Sequence, residues 1–184
     1  MGIFATVLWV LLALVFSGVA SGLALVLRFG GGELGRHDLV NDGSVVSLMV
    51  LILAAAQIPV LIWAAQSRGW RATDYLGWVV PKPRDVAVTV AAVVALALAG
   101  GALDYYLLGQ DPQGPPTFQI DTYLSAREAG RLAMLWIAFV LAAPLSEELL
   151  FRGFLYRGWA RSPHTVVPAV VVISGLWAIA HVGP

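Results

Sequence analysis

The sequence predicts an all-α fold: a polytopic transmembrane bundle of about five helices. Three observations predict it. Apolar residues make up 59% of the 184 positions and charged residues only 12%, and the mean hydropathy of +0.82 lies far outside the soluble range. Four apolar runs, residues 3–27, 45–65, 86–108 and 132–150, each approach the ~20 residues that a spanning helix needs. A fifth run, 165–180, is slightly shorter. Between the runs, glycine and proline clusters mark breaks.

Taken in order, the first run lacks a basic leader and is about twice the length of a signal-peptide core, so it reads as a membrane helix. Its Gly18-Val-Ala-Ser-Gly22 segment has the spacing of a close helix-packing motif. Gly30-Gly31-Gly32 ends it. Residues 67–85 form a connection before the third run and end in Pro81-Lys82-Pro83. Asp104 beside Tyr105 and Tyr106 has the look of an interfacial belt. The segment Asp111-Pro112-Gln113-Gly114-Pro115-Pro116 is a loop. The fourth run continues through Phe154-Leu155-Tyr156 to about Ala160, with Pro144 predicting a kink because it cannot donate to the Val140 carbonyl. Ser162-Pro163 supplies an N-cap and a proline at the first helical position, so the last two helices form a tight hairpin. The chain is thus expected to be a single membrane domain over 1–184, with residues 129–184 as its motif-bearing hairpin.

Charge placement orients the bundle. Residues 67–85 and the segment after Leu150 hold seven Arg or Lys, while the alternate connections hold four. By the positive-inside rule the N-terminus and the two richer connections face the cytoplasm. Ten of the eleven basic residues are Arg, alongside abundant Ala, Gly and Val, a bias that points to a GC-rich bacterial genome and so to a bacterial cytoplasmic membrane. The chain has no cysteine, which excludes disulfides, thiolate metal sites and a cysteine nucleophile. A net charge of zero gives no reason to expect a nucleic-acid partner; the partner is the lipid bilayer. His37 and His164 fall in predicted loops and are expected to be solvated.

Chemistry is concentrated at Glu147, Glu148, Arg152 and His181. An ionisable group at bilayer depth costs roughly 2.5–3.5 kcal/mol even on the lenient insertion scale, so two adjacent carboxylates there face a bundle interior and serve chemistry or transport. Glu148 and Arg152 are four residues apart and share a helix face, which predicts an ion pair. Glu147 points about 100° away from Glu148. The hairpin turn lies midway between positions 147 and 181, so both residues stand about 25 Å along their helices from it, at the same level. A carboxylate facing an imidazole is the smallest kit for activating water, either directly or through a shared metal. There is no His-Glu-x-x-His, so a zincin-type site is absent.

The segment Pro144-Leu-Ser-Glu147-Glu148-Leu-Leu-Phe-Arg152-Gly153-Phe-Leu-Tyr156, followed by Trp177-Ala-Ile-Ala-His181, resembles the CAAX protease and bacteriocin-processing family of intramembrane proteases (CPBP, or Abi), which includes the type II CAAX prenyl endopeptidases. The family's first motif is Glu-Glu-x-x-x-Arg; its second is an aromatic residue, usually Phe, with His four positions later. The resemblance implies an endopeptidase acting on a peptide or protein C-terminus, prenylated in eukaryotes, with peptide maturation or immunity as the bacterial role. It implies Glu147 as general base, His181 as its water-positioning partner, and Glu148 with Arg152 as a supporting pair. Members are classed as metalloendopeptidases, so Glu147 and His181 would be the ligands if a divalent metal such as zinc takes part; a metal-free mechanism stays open. Trp177 in place of Phe reads as a small change. The family's later motifs, a His and an Asn or His that build an oxyanion site, are absent before Pro184. The chain is therefore expected to be C-terminally truncated and inactive on its own. The competing expectation is a non-catalytic immunity or scaffold protein, or part of a proton-coupled transporter.

Overall fold

The computed structural model describes residues 2–30, 39–78, 80–107 and 118–181. Among them there is helix and no strand, and five helices are long and apolar enough to cross a membrane. We number the helices α1 (Ile3–Phe29), α2 (Gly43–Gln66), α3 (Ala72–Tyr75), α4 (Pro83–Leu107), α5 (Phe118–Glu128), α6 (Leu132–Trp159) and α7 (Pro163–Ala180). The polytopic all-α expectation holds. The chain divides into two compact units, one comprising Met1–Trp78 with Phe118–Pro184 and the other Val79–Thr117. The second unit contains α4, an apolar helix that begins at Pro83; the side chain of Asp104 lies outside the described residues, as do His37 and the expected loop at 111–116.

Within the larger unit, α1 packs along α2. The buried face of α1 is Thr6, Val10, Ala13, Ser17, Ser21 and Leu25, so the small residues that let the backbones approach are Ala13, Ser17 and Ser21. Gly18 and Gly22, the pair singled out by spacing, lie one position round the helix with nothing near the place of a Cβ. The packing motif is real but rotated by one residue, because serine and alanine are small enough to serve. The opposite face exposes Phe4, Leu8, Val15, Val19 and Leu27, as a lipid-facing helix should.

Asp42 caps α2: its Oδ1 accepts from the N–H groups of Ser44 at 2.8 Å and Val45 at 3.2 Å, satisfying donors with no partner inside the helix. Helix α5, which hydropathy did not reveal, docks on this end. Its Ser125 Oγ accepts the Gly43 N–H at 2.8 Å, and Thr122 is buried. Ser162 does stand before α7 with Pro163 at the first position, and its N–H donates to Thr165 Oγ1 at 3.0 Å. His164 is exposed as expected, but in the first turn of α7 rather than in a loop. The core joins Val10 and Ala13 of α1, Leu61, Ala64 and Ala65 of α2, and Phe154 of α6. Tyr75 of α3 meets Phe154 edge-on, ring centroids 5.5 Å apart.

Candidate active site

Helix α6 is not a regular α-helix. It widens into π-helical turns at Ile137–Ala142, returns to α geometry at Ala143–Glu148, and widens again at Leu149–Leu155. Pro144 gives a physical reason for the first change: without an N–H it cannot continue the ladder, and its ring would collide with the carbonyl four residues back. In the widened turn the Ala143 N–H instead reaches back five residues to Ala138. The Leu149 N–H is shared between Leu145 and Ser146, and the Tyr156 N–H again spans five residues to Phe151. Such turns recur at functional sites because they re-aim side chains that a regular helix would place elsewhere. Glu147 and Glu148 close the regular segment between them.

The two glutamates diverge. Glu147 reaches across the hairpin to α7, where its Oε2 accepts the indole N–H of Trp177 at 3.2 Å and its Oε1 lies 3.8 Å from His181 Nε2. The level match read from the turn position therefore holds in space. His181 Nδ1 lies 2.8 Å from the Trp177 carbonyl; a carbonyl only accepts, so Nδ1 carries a proton and Nε2 is the ring atom turned toward Glu147. The imidazole also stacks on the Trp177 indole, centroids 4.1 Å apart and 27° from parallel. Trp177 thus holds both partners, one by its side-chain donor and the other by its carbonyl and ring. Trp177 makes a contact that Phe at this position could not, since Phe has no donor to offer a carboxylate.

Glu148 turns to its own helix and accepts from Arg152 Nη1 at 2.9 Å, the i, i+4 pair that the spacing predicted. The chain itself leaves this pair open, with side-chain exposures of 55% for Glu148 and 80% for Arg152, so the protein does not enclose it. One turn on, Gly153 allows the α3 segment to approach: a Cβ there would stand 2.8 Å from the Leu76 carbonyl oxygen. Arg157 donates to the carbonyl of Asp74, and Gly77 leaves α3 with a positive φ of 70° that favours glycine. These contacts fix one wall of a cleft of about 720 Å³. Glu147, Glu148, Arg152 and Trp177 line it together with the apolar side chains of Phe151, Val170 and Ile173.

A catalytic zinc usually takes three protein ligands. Glu147 and His181 offer two, and among the described residues no group of three His, Cys, Asp or Glu forms, so this donor set does not make up such a site. Sequence reasoning missed Trp177 as a donor, the reason for Gly153, and Gln57 of α2, whose buried amide Nε2 lies 3.4 Å from the Ser146 carbonyl. For Gln57 the signal was present, since an amide inside an apolar run is as unusual as a charge is costly.

Searches of curated proteins and of solved structures give no match. Residues 129–184, less than a third of the chain, match the family model described as type II CAAX prenyl endopeptidase Rce1-like. The matched segment holds Glu147, Glu148, Arg152 and His181, so it is in this hairpin that the chain is similar to the CAAX-protease family.

Proposed function

We propose that this membrane protein is an intramembrane endopeptidase in which Glu147 is the general base for a water held between it and His181. The observation that carries the reading is the Glu147 carboxylate itself, held from α7 by Trp177 and facing His181 Nε2 at 3.8 Å. A water that donates to both groups needs them about 4.5 Å apart, from two 2.8 Å bonds at a tetrahedral angle. A shift of under ~1 Å admits it. Such a water gives one hydrogen to Glu147 and the other to Nε2, leaving an oxygen lone pair for the peptide carbonyl carbon. As the C–O bond forms, Glu147 takes the proton; as the tetrahedral adduct collapses and the C–N bond breaks, that proton passes to the leaving amine. Every step runs through Glu147, His181 and water.

The apolar cleft wall of Phe151, Val170 and Ile173 suits an apolar peptide segment or a prenyl chain near a protein C-terminus. By the positive-inside rule the basic connections support a cytoplasmic N-terminus, and the Arg-rich composition supports a bacterial membrane. The test is to reconstitute the complete gene product in liposomes and incubate it with a C-terminal peptide library, with and without a farnesyl group, in ¹⁸O-labelled water. The reading expects one heavy oxygen in the new carboxyl terminus, and loss of cleavage in Glu147→Gln. An intact library, or cleavage that persists in Glu147→Gln, would overturn it.

A further inference from the structure

The sharpest unexplained feature of the bundle is a glutamine. Gln57 lies in the middle of α2, within the run Leu51-Ile-Leu-Ala-Ala-Ala-Gln57-Ile-Pro-Val-Leu61, and is only 2% exposed. A primary amide buried without a partner is costly, and more so where the surroundings are lipid and apolar side chains. Its Nε2 donates to the carbonyl oxygen of Ser146 on α6 at 3.4 Å. Ser146 immediately precedes Glu147 and is itself 3% exposed, with its hydroxyl donating locally to the Ala143 carbonyl at 3.0 Å.

The place of this contact matters because the helical ladder changes there. The Ser146 carbonyl takes part of the shared Leu149 N–H just before the widened turns at Leu149–Leu155. Where a helix passes from α to π geometry, its rotational phase is set less firmly by its own hydrogen bonds. An external donor on that carbonyl fixes the phase of the residue that follows. A rotation there swings the Glu147 carboxylate away from Trp177 and His181, and a misplacement of about 1 Å at a reacting group costs on the order of a hundredfold in rate.

We infer that Gln57 is a positioning residue: its amide, donated from α2 to the Ser146 carbonyl, sets the rotation of α6 that aims Glu147 at His181. The catalytic consequence rests on Glu147 being the base; the geometric claim does not. Because the chain has no native cysteine, the geometry can be read without any turnover. Glu147→Cys and His181→Cys are combined, and cross-linking by a short bifunctional methanethiosulfonate, which spans positions whose native side chains meet only at their tips, is timed in membranes. Adding Gln57→Leu, which keeps an apolar volume but removes the amide, should slow cross-linking about fivefold or more, whereas Gln66→Leu at the end of the same helix should leave the rate unchanged. Leu61→Ala, which empties a buried position without touching Ser146, separates positioning from general loosening.

In the complete gene product carrying Glu147 and His181, Gln57→Leu should lower kcat about tenfold while KM stays within about twofold. Gln57→Glu should recover much of that loss at the acidic end of the active range, where its protonated carboxyl can donate, and lose it again as pH rises and the group ionises. An unchanged cross-linking rate in Gln57→Leu, or an equal slowing in Leu61→Ala, overturns the inference whatever the activity shows. A cross-linking effect without any peptidase activity would instead leave the positioning intact and remove the proposed function.

Discussion

Glu147 and Glu148 are neighbours in the chain with the same side chain, yet they are held in opposite ways. Glu148 is satisfied by Arg152, one turn along its own helix. Among the described residues Glu147 accepts from Trp177, 30 positions later on the next helix, and faces His181, 34 positions later at the end of that helix. The difference follows from about 100° of helical rotation between successive residues, which turns one carboxylate along α6 and the other toward α7. A pair closed within one helix needs only that helix. A pair closed across a hairpin needs the turn, the widened segments of α6 and the packing against α2 to be right together. Glu147 is therefore the residue whose geometry reports on the whole assembly, and Glu148 the one whose partner is local.

Substitutions on the two sides should separate accordingly. On the Glu147 side, His181→Ala removes the Nε2 acceptor and should lower kcat about 10²-fold or more, as measured by steady-state peptide cleavage in the complete gene product. Trp177→Phe is a finer cut, keeping an aromatic face for His181 while removing the donor to Oε2. A hydrogen bond to a charged group contributes roughly 1.5–3 kcal/mol, so an order-of-magnitude loss in kcat is expected; wild-type turnover would show the indole N–H to be dispensable. On the Glu148 side, Gly153→Val should act on stability. Crowding the Leu76 backbone should cost about 1–3 kcal/mol and lower Tm in detergent, with little change in activity per folded molecule. Arg152→Gln should have the smallest effect on kcat, because its partner is Glu148 on its own helix rather than Glu147; kcat within about threefold of wild type is expected.

Much of this was legible in the sequence, for identifiable reasons. Spanning helices follow from apolar run length, and the structure moved their ends by only a few residues. The Glu148–Arg152 pair follows from spacing on one helix, and the approach of Glu147 to His181 follows from the turn at Ser162-Pro163 lying midway between them. What escaped depended on rotation or on orientation. The α1 seam is built on Ser17 and Ser21 rather than Gly18 and Gly22, a one-residue offset that spacing alone does not resolve. Trp177 reads from sequence as a small change from Phe because the direction of an indole N–H is set only when α6 and α7 are packed. Helix α5 (Phe118–Glu128) mixes Phe118, Ile120 and Leu124 with Gln119, Asp121 and Arg127, and so gives no hydropathy signal. Pro144 did announce an irregularity, but the widened turns extend to Leu155, beyond the reach of one proline.

The central claim is the division of labour between the two glutamates, and the most direct measurement is kcat for Glu147→Gln and Glu148→Gln side by side. Both are measured in the complete gene product, in the same liposomes and on the same peptide, with Tm recorded for each. Both substitutions keep size and hydrogen-bonding capacity while removing a carboxylate. A loss of about 10²–10⁴-fold in Glu147→Gln, against at most about tenfold in Glu148→Gln with both proteins folded, is the predicted result. Equal losses, or the larger loss in Glu148→Gln, would contradict the assignment of Glu147 as the base.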